Sequence, residues 1–195
     1  MQDPDHTPPT PGCVAAILPA AGSGQRFGSH RNKLFADLNG QPLWVHAVSR
    51  LAASSWIGRI VMAVSAADES IFRYENGSLL ERYGVELVRG GAERTDSVRV
   101  GLEAVANDEK IRFVAIHDAA RPLVRASDLA AVFAAASQSG AAILATPVSG
   151  TVKRELANCR ASQTVDRREL WIAQTPQVFG VGLLKEAYAK PVSYT

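Results

Sequence analysis

Four short strand-like runs constrain the fold before any motif is considered: Val14–Leu18, Arg59–Val64, Val85–Val88 and Phe113–Ile116. The run Arg-Ile-Val-Met-Ala-Val at 59–64 has no strict apolar–polar alternation, as expected of a strand covered on both faces. Helical patterns separate the runs. Over 42–53, Leu43, Val45, Val48 and Leu51 recur among polar residues behind Pro42, whose missing N–H is harmless at a helix start. Ala66–Tyr83 reads as partly helical, broken at Asn76-Gly77, and Val98, Leu102 and Val105 share one face of a helix over Glu93–Ala106. Ser127–Ser137 reads as an alanine-rich helix with Ser127 as N-cap, and Ala141–Ala145 as a fifth strand. This alternation predicts parallel strands joined by right-handed crossovers, hence an α/β layered sheet. Such sheets bind ligands beyond the carboxyl ends of their strands, which nominates the loops after Leu18, Val88 and Ile116.

Length and charge narrow the partners. A chain of 195 residues is most simply one domain with a substantial core, expected over 13–195. Residues 1–12 are expected to be a disordered leader, because Met1–Pro11 holds four prolines, two aspartates and a histidine and no apolar centre. A net charge of +2 with no Lys/Arg cluster argues against nucleic acid as a partner. No apolar run is long enough to suggest a membrane span. Cys13 and Cys159 match no metal-ligand spacing and read as reduced thiols, so the expected compartment is the cytoplasm.

The first nominated loop is Pro19-Ala20-Ala21-Gly22-Ser23-Gly24-Gln25-Arg26-Phe27, followed by Lys33. Glycines let backbone N–H groups approach a ligand, and two cations stand ready for phosphate oxygens; a plain tight turn is the other reading. It is no Walker loop, and it lacks the third glycine of a dinucleotide fingerprint. The second, Gly90-Gly91-Ala92-Glu93-Arg94-Thr95-Asp96-Ser97, reads either as a glycine turn with Thr95 or Asp96 capping the next helix, or as a bare backbone plus Ser97 hydroxyl for a planar base edge. The third, His117-Asp118-Ala119-Ala120-Arg121-Pro122, sets a carboxylate just beyond an apolar strand. Asp118 could hold a divalent metal, accept from substrate hydroxyls, or form a structural ion pair with Arg121. His117 reads as either a hydrogen-bonded structural residue or an acid–base group.

Beyond Thr146 the rhythm changes. Thr151–Glu155 and Ala161–Asp166 are β-compatible but too polar for a core and look like the two arms of a hairpin. An exposed hairpin needs cover for its edges, and a partner subunit is one candidate. Thr151, Lys153, Arg167 and Thr175-Pro176-Gln177 would each pass individually as surface.

With these motifs placed, the chain resembles the 2-C-methyl-D-erythritol 4-phosphate cytidylyltransferases, nucleotidyltransferases of the non-mevalonate isoprenoid pathway. The matching stretches run in family order over 14 to about 190. They are Pro19-Ala20-Ala21-Gly22-x-Gly24-x-Arg26 with Lys33, Gly90-Gly91-x-Glu93-Arg94-x-Asp96-Ser97-Val98, His117-Asp118-Ala119-Ala120-Arg121-Pro122, Thr164-Val165-Asp166-Arg167 and Gln174-Thr175-Pro176-Gln177-x-Phe179. The resemblance implies a Rossmann-like, mostly parallel sheet of the nucleotidyltransferase type, with a protruding β-hairpin arm over about 148–168. It assigns Pro19, Ala20, Ala21, Gly22, Gly24, Gly91, Arg94 and Ser97 to the nucleotide, with Ala20, Ala21, Gly91 and Ser97 at cytosine. Arg26, Lys33 and Arg167 become the catalytic cations, with Arg26 and Lys33 at the CTP phosphates. Asp118, Arg121, Thr151, Arg167 and Thr175 fall at the methylerythritol phosphate or ribose side. The implied cofactor is Mg²⁺, held mainly by CTP phosphates with Asp118 as a protein ligand. The implied assembly is a homodimer in which the arm carries Thr151 and Arg167 into the neighbour's site.

The sequence also departs from the family pattern. Gly150 stands where aspartate is usual, Asn32 where proline precedes Lys33, and Ala92 where some members place a polar side chain. The family continues past the position of Thr195 to an Asn-Ile-Lys-x-Thr motif with a further phosphate-binding lysine, so the end of the family domain is expected to be missing. A cytidylyltransferase for ribitol phosphate or another polyol phosphate is the neighbouring reading, disfavoured by Ala119-Ala120-Arg121. A CTP-binding module without activity is the reading from a different class.

Overall fold

In the computed structural model, which describes residues 10–22, 32–155 and 162–190, one strand lies at the centre of everything else. Chain order is β1 (Val14–Ala20), a 3-10 turn at Lys33–Phe35, β2 (Asp37–Leu38), β3 (Gln41–Pro42), α1 (Leu43–Ala52), β4 (Ile57–Val64) and a single π turn at Ile71–Glu75. Then come α2 (Gly77–Arg82), β5 (Val85–Arg89), α3 (Arg94–Val105), β6 (Phe113–Ile116), α4 (Ala126–Ser139) and β7 (Ala141–Pro147). The last elements are β8 (Val152–Glu155), β9 (Ser162–Val165), β10 (Trp171–Gly180) and α5 (Val181–Ala189).

The main sheet has the order β5-β4-β1-β6-β10-β7. β1 pairs in parallel with β4 on one side and β6 on the other, aligning Ile17 with Val61 and with Ile116. β4 pairs in parallel with β5. The expected α/β class and the mostly parallel sheet are therefore present. β1 alternates between two apolar layers: Ala16, Leu18 and Ala20 join a core with Trp44, Phe72 and Phe133, while Ala15 and Ile17 join Val98, Leu102 and Leu184. Burial on both faces is why β1 reads as an unbroken apolar run.

The far end of the sheet departs from simple alternation. β7 does not neighbour β6. β10 lies between them and runs antiparallel to both, pairing Val178 with Ala115 and with Ala142. No strand is expected over Trp171–Gly180 from the sequence, yet β10 occupies it. Its first residues, Trp171–Ala173, are exposed, so no buried apolar run announces it. β8 and β9 form a separate two-stranded antiparallel ladder, Val152 opposite Val165, and residues 156–161 between them are outside the described residues.

Two caps differ from expectation. α3 is capped by Glu93 rather than by Thr95 or Asp96: Glu93 and Asp96 form a reciprocal capping box, with Asp96 Oδ2 accepting from Glu93 N–H at 3.1 Å. α4 starts one residue before Ser127, behind Arg125, whose guanidinium pairs with Asp128 through two hydrogen bonds of 2.9 and 3.0 Å. That bidentate pair holds the first turn in place of a hydroxyl cap.

The helix layer lies close on the sheet where α3 crosses β1. A Cβ added at Gly101 would sit 2.5 Å from Ile17 Cγ2, and Ile17 is fully buried and β-branched, with little room to turn aside. Gly101→Ala is expected to lower stability by about 1–3 kcal/mol through overpacking. Urea unfolding checks this, and an unchanged midpoint would mean that α3 can lift from β1 without penalty.

Candidate active site

Strand order reverses at β1, with β4 and β5 to one side and β6 to the other. The crevice beyond the carboxyl ends of β1 and β6 is therefore where such a sheet can admit a ligand. All three nominated loops open here: Ala21-Gly22 after β1, Gly90-Gly91 after β5, and His117-Asp118 after β6.

Contact between the first two loops is tight. A Cβ at Gly90 would lie 2.7 Å from both Ala21 Cβ and Ser97 Oγ, and one at Gly91 would lie 2.2 Å from Asp96 Cβ. Gly90 also donates its N–H to Val64 carbonyl at 2.9 Å, which ties the loop to the end of β4. Ser97 is buried, and its hydroxyl donates to Glu93 carbonyl at 3.3 Å. Ala21, Gly90 and Ser97 thus pack together, with Pro19 and Ala20 at the end of β1, Gly22 just beyond Ala21, and Gly91 against Asp96. Gly24 and Arg26 lie outside the described residues.

The third loop carries the charge. Asp118 Oδ1 accepts from Arg94 Nη2 at 3.1 Å, and Oδ2 accepts from Arg121 Nε at 2.9 Å. Burial alone would push the Asp118 carboxyl up, but hydrogen bonds from Arg121 and Arg94 outweigh it and hold it below its ordinary value. The carboxylate therefore stays ionised and acts as an acceptor. Arg121 also donates to Gln174 Oε1, a contact the sequence reading did not single out.

His117 supports this loop from below. It is fully buried, with Nε2–H donating to Arg121 carbonyl at 3.1 Å and Nδ1 accepting from Thr175 Oγ1 at 3.1 Å. Thr175 Oγ1 in turn accepts from Asp118 N–H at 3.3 Å. Both ring nitrogens are engaged, and burial pushes the imidazole pKa down. Of its two readings, the hydrogen-bonded structural one describes His117: a neutral tie between β6 and β10.

Lys33 begins the 3-10 turn and is exposed. Thr151 and Arg167 do not join this centre. Both are exposed near the β8–β9 ladder, where Arg167 donates to Ser149 carbonyl. Among the described residues, no hydrogen bond or ion pair links either to Lys33, Asp118 or Arg121. No group of three or more His, Cys, Asp or Glu among the described residues could hold a metal. Each oxygen of Asp118 accepts from one guanidinium, Oδ1 from Arg94 and Oδ2 from Arg121.

The chain is similar to known proteins over most of its length. The family model for 2-C-methyl-D-erythritol 4-phosphate cytidylyltransferase matches residues 14–194. The chain is 52% identical over 186 residues to the 2-C-methyl-D-erythritol 4-phosphate cytidylyltransferase of Rhodopirellula baltica, covering 91% of this chain and 76% of that protein. It is 42% identical over 183 residues to the enzyme of the same name from Syntrophus aciditrophicus, covering 92% and 76%. Among solved structures, 4-diphosphocytidyl-2C-methyl-D-erythritol synthase from Anaerococcus prevotii superposes with a TM-score of 0.76 at 26% identity, covering 93% of this chain and 79% of that one.

Because His117 is held neutral below its ordinary pKa, the unfolded chain binds the extra proton more readily than the folded one. Stability is therefore expected to fall as pH drops from about 7.5 to 5.5, through the ordinary histidine range. His117→Asn should cost about 1–3 kcal/mol at neutral pH through broken hydrogen bonds and should flatten that slope. Urea midpoints at the two pH values check this; an equally steep slope in the variant would assign the effect to other groups.

Proposed function

The chain belongs to the 2-C-methyl-D-erythritol 4-phosphate cytidylyltransferases, and from that premise we propose how its residues divide the work. The enzyme transfers a cytidylyl group from CTP to 2-C-methyl-D-erythritol 4-phosphate, releasing pyrophosphate in non-mevalonate isoprenoid precursor synthesis. A phosphate oxygen of the alcohol substrate attacks the α-phosphorus of CTP in line. The bond from that phosphorus to the bridging oxygen breaks, and pyrophosphate leaves with the electron pair. Chemistry of this kind needs positioning and charge neutralisation rather than a covalent intermediate.

The observation that carries the assignment of roles is the ionised Asp118 held between Arg94 and Arg121 beyond the end of β6. A carboxylate has about four acceptor sites, so two guanidinium contacts leave capacity for substrate or ribose hydroxyls. Arg121 and Thr175 adjoin it on the methylerythritol phosphate side. Pro19, Ala20, Ala21, Gly22, Gly91 and Ser97 take cytosine and ribose, on two loops that Gly90 and Gly91 allow to pack closely against Ala21, Ser97 and Asp96. Arg94 reaches the nucleotide side from the first turn of α3. Lys33, with Arg26 and Gly24 from the same loop, meets the triphosphate and stabilises charge on the leaving pyrophosphate. Mg²⁺ fits as a counter-ion carried chiefly by the CTP phosphates, where it supplies further charge neutralisation.

Thr151 and Arg167 serve the site of a second copy. Their support is position: each is near the β8–β9 ladder, and neither meets its own chain's Asp118. The exposed Trp171 and Ile172, 61% and 52% accessible, supply apolar surface beside that ladder for a homodimer. We also propose a cytoplasmic location, in keeping with the buried free thiol of Cys13.

Lys33→Ala is expected to lower CTP-dependent pyrophosphate release by about 10²–10³-fold in a folded protein, the usual scale for a lost transition-state electrostatic contact. Undiminished turnover would remove Lys33 from the chemistry. The shared site has its own test. Lys33→Ala and Arg167→Ala, each inactive alone, should recover about a quarter of wild-type activity on mixing, because half the random dimers then carry one intact site. No recovery after subunit exchange would place Arg167 in its own chain's site or outside catalysis.

A further inference from the structure

Lys33 follows a side chain with more hydrogen bonds than a helix cap requires. Asn32 is 8% exposed and uses both ends of its amide. Its Oδ1 accepts from Leu34 N–H at 3.1 Å, which caps the 3-10 turn. Its Nδ2 donates to Gly22 carbonyl at 3.2 Å and to Asp68 Oδ2 at 2.9 Å. Asp68 Oδ2 also accepts from Ser65 Oγ at 2.8 Å, and Asp68 N–H donates back to that hydroxyl at 3.1 Å. Ser65 is the first residue after β4.

One buried amide therefore joins the start of the loop after β1, the segment after β4 and the turn that begins with Lys33. A cap alone needs only the Oδ1 bond; the two donations are what must be explained. A proline at 32, the residue the family resemblance leads one to expect, has no side-chain donor and could make neither. Beyond Lys33 the turn is fastened differently, by Leu34 and Phe35 in the core, with the Phe35 ring 4.7 Å from that of Phe72. Before Lys33, the side-chain bonds that tie the turn to the segments after β1 and β4 are those of Asn32.

We infer that Asn32, anchored by Asp68 and Ser65, is a positioning residue that fixes Lys33 relative to the carboxyl end of β1 for its work on the CTP phosphates. The physical warrant is leverage. Lys33 carries its charge at the end of a flexible four-carbon stem, so a small turn of its backbone displaces the ammonium by more than the backbone moves. A shift of about 1 Å at a reacting centre can cost on the order of 10²-fold in rate. The inference rests on the assignment of Lys33 to the triphosphate made above.

The test is a double-mutant cycle on the full chain, read by calorimetric CTP titration and by turnover. Asn32→Ala is expected to weaken CTP binding about ten-fold and to lower kcat by a similar factor, a loss smaller than that of Lys33→Ala. Asp68→Ala leaves the Leu34 cap intact and should do the same, while Asp68→Asn keeps an acceptor for Asn32 and should restore most of the affinity. In a Lys33→Ala background, Asn32→Ala should weaken CTP binding no further. Equal losses in the two backgrounds, or no loss from Asn32→Ala, would overturn the positioning role while leaving Lys33 in place. Unchanged affinity and turnover in Lys33→Ala itself would overturn the underlying assignment, and this inference with it. If circular dichroism finds Asn32→Ala unfolded, Asp68→Ala carries the same comparison.

Discussion

The parallel pairing of β1 with β4 on one edge and β6 on the other is the constraint on which the rest of the structure depends. Aligned carboxyl ends bring Ala21, Gly90 and His117 to one rim although they lie far apart in the chain. Two-sided pairing satisfies the backbone of β1 within the sheet, and apolar layers on both faces make its displacement costly. A site built on the end of such a strand inherits its rigidity. Gly101 lets α3 approach β1 closely over Ile17, and Gly90 lets the second loop approach Ala21 at the rim.

Charge is placed on the scaffold in a way that solves a burial problem. Asp118 is half-buried, and an unpaired carboxylate there would be raised toward its neutral form. Arg94 from α3 and Arg121 from its own loop keep it ionised, and through them α3 is joined to the end of β6. Beneath them, the neutral His117 binds Thr175 of β10, so an antiparallel strand contributed from late in the chain holds the loop that carries the acid. The Asp118–Arg121 ion pair therefore favours the ionised form of Asp118 and fixes its position at the end of β6.

Legibility in the sequence followed burial. Val14–Leu18 and Phe113–Ile116 were readable as strands because both faces are covered, leaving no polar residues to break the runs. β10 escaped because its first three residues are exposed and its middle carries Gln174 and Gln177; its place comes from pairing with β6 and β7, which no local pattern records. The capping differences have the same origin. Ser127 has the right chemistry for an N-cap, but the Arg125–Asp128 pair starts α4 earlier, and Glu93 outcompetes Thr95 because Asp96 returns its hydrogen bond.

The sequence by itself determined the α/β class, the three loops and the residue types that meet there, since these depend on local periodicity and on glycines and charges adjacent in the chain. Only the tertiary structure decided that Arg94, Asp118, Arg121 and Thr175 form one hydrogen-bonded group and that Thr151 and Arg167 stand apart from it. It alone also ties Asn32 to Gly22 and Asp68. These are contacts between segments distant in sequence, and their distances are set by sheet order and register, which no single stretch of residues encodes.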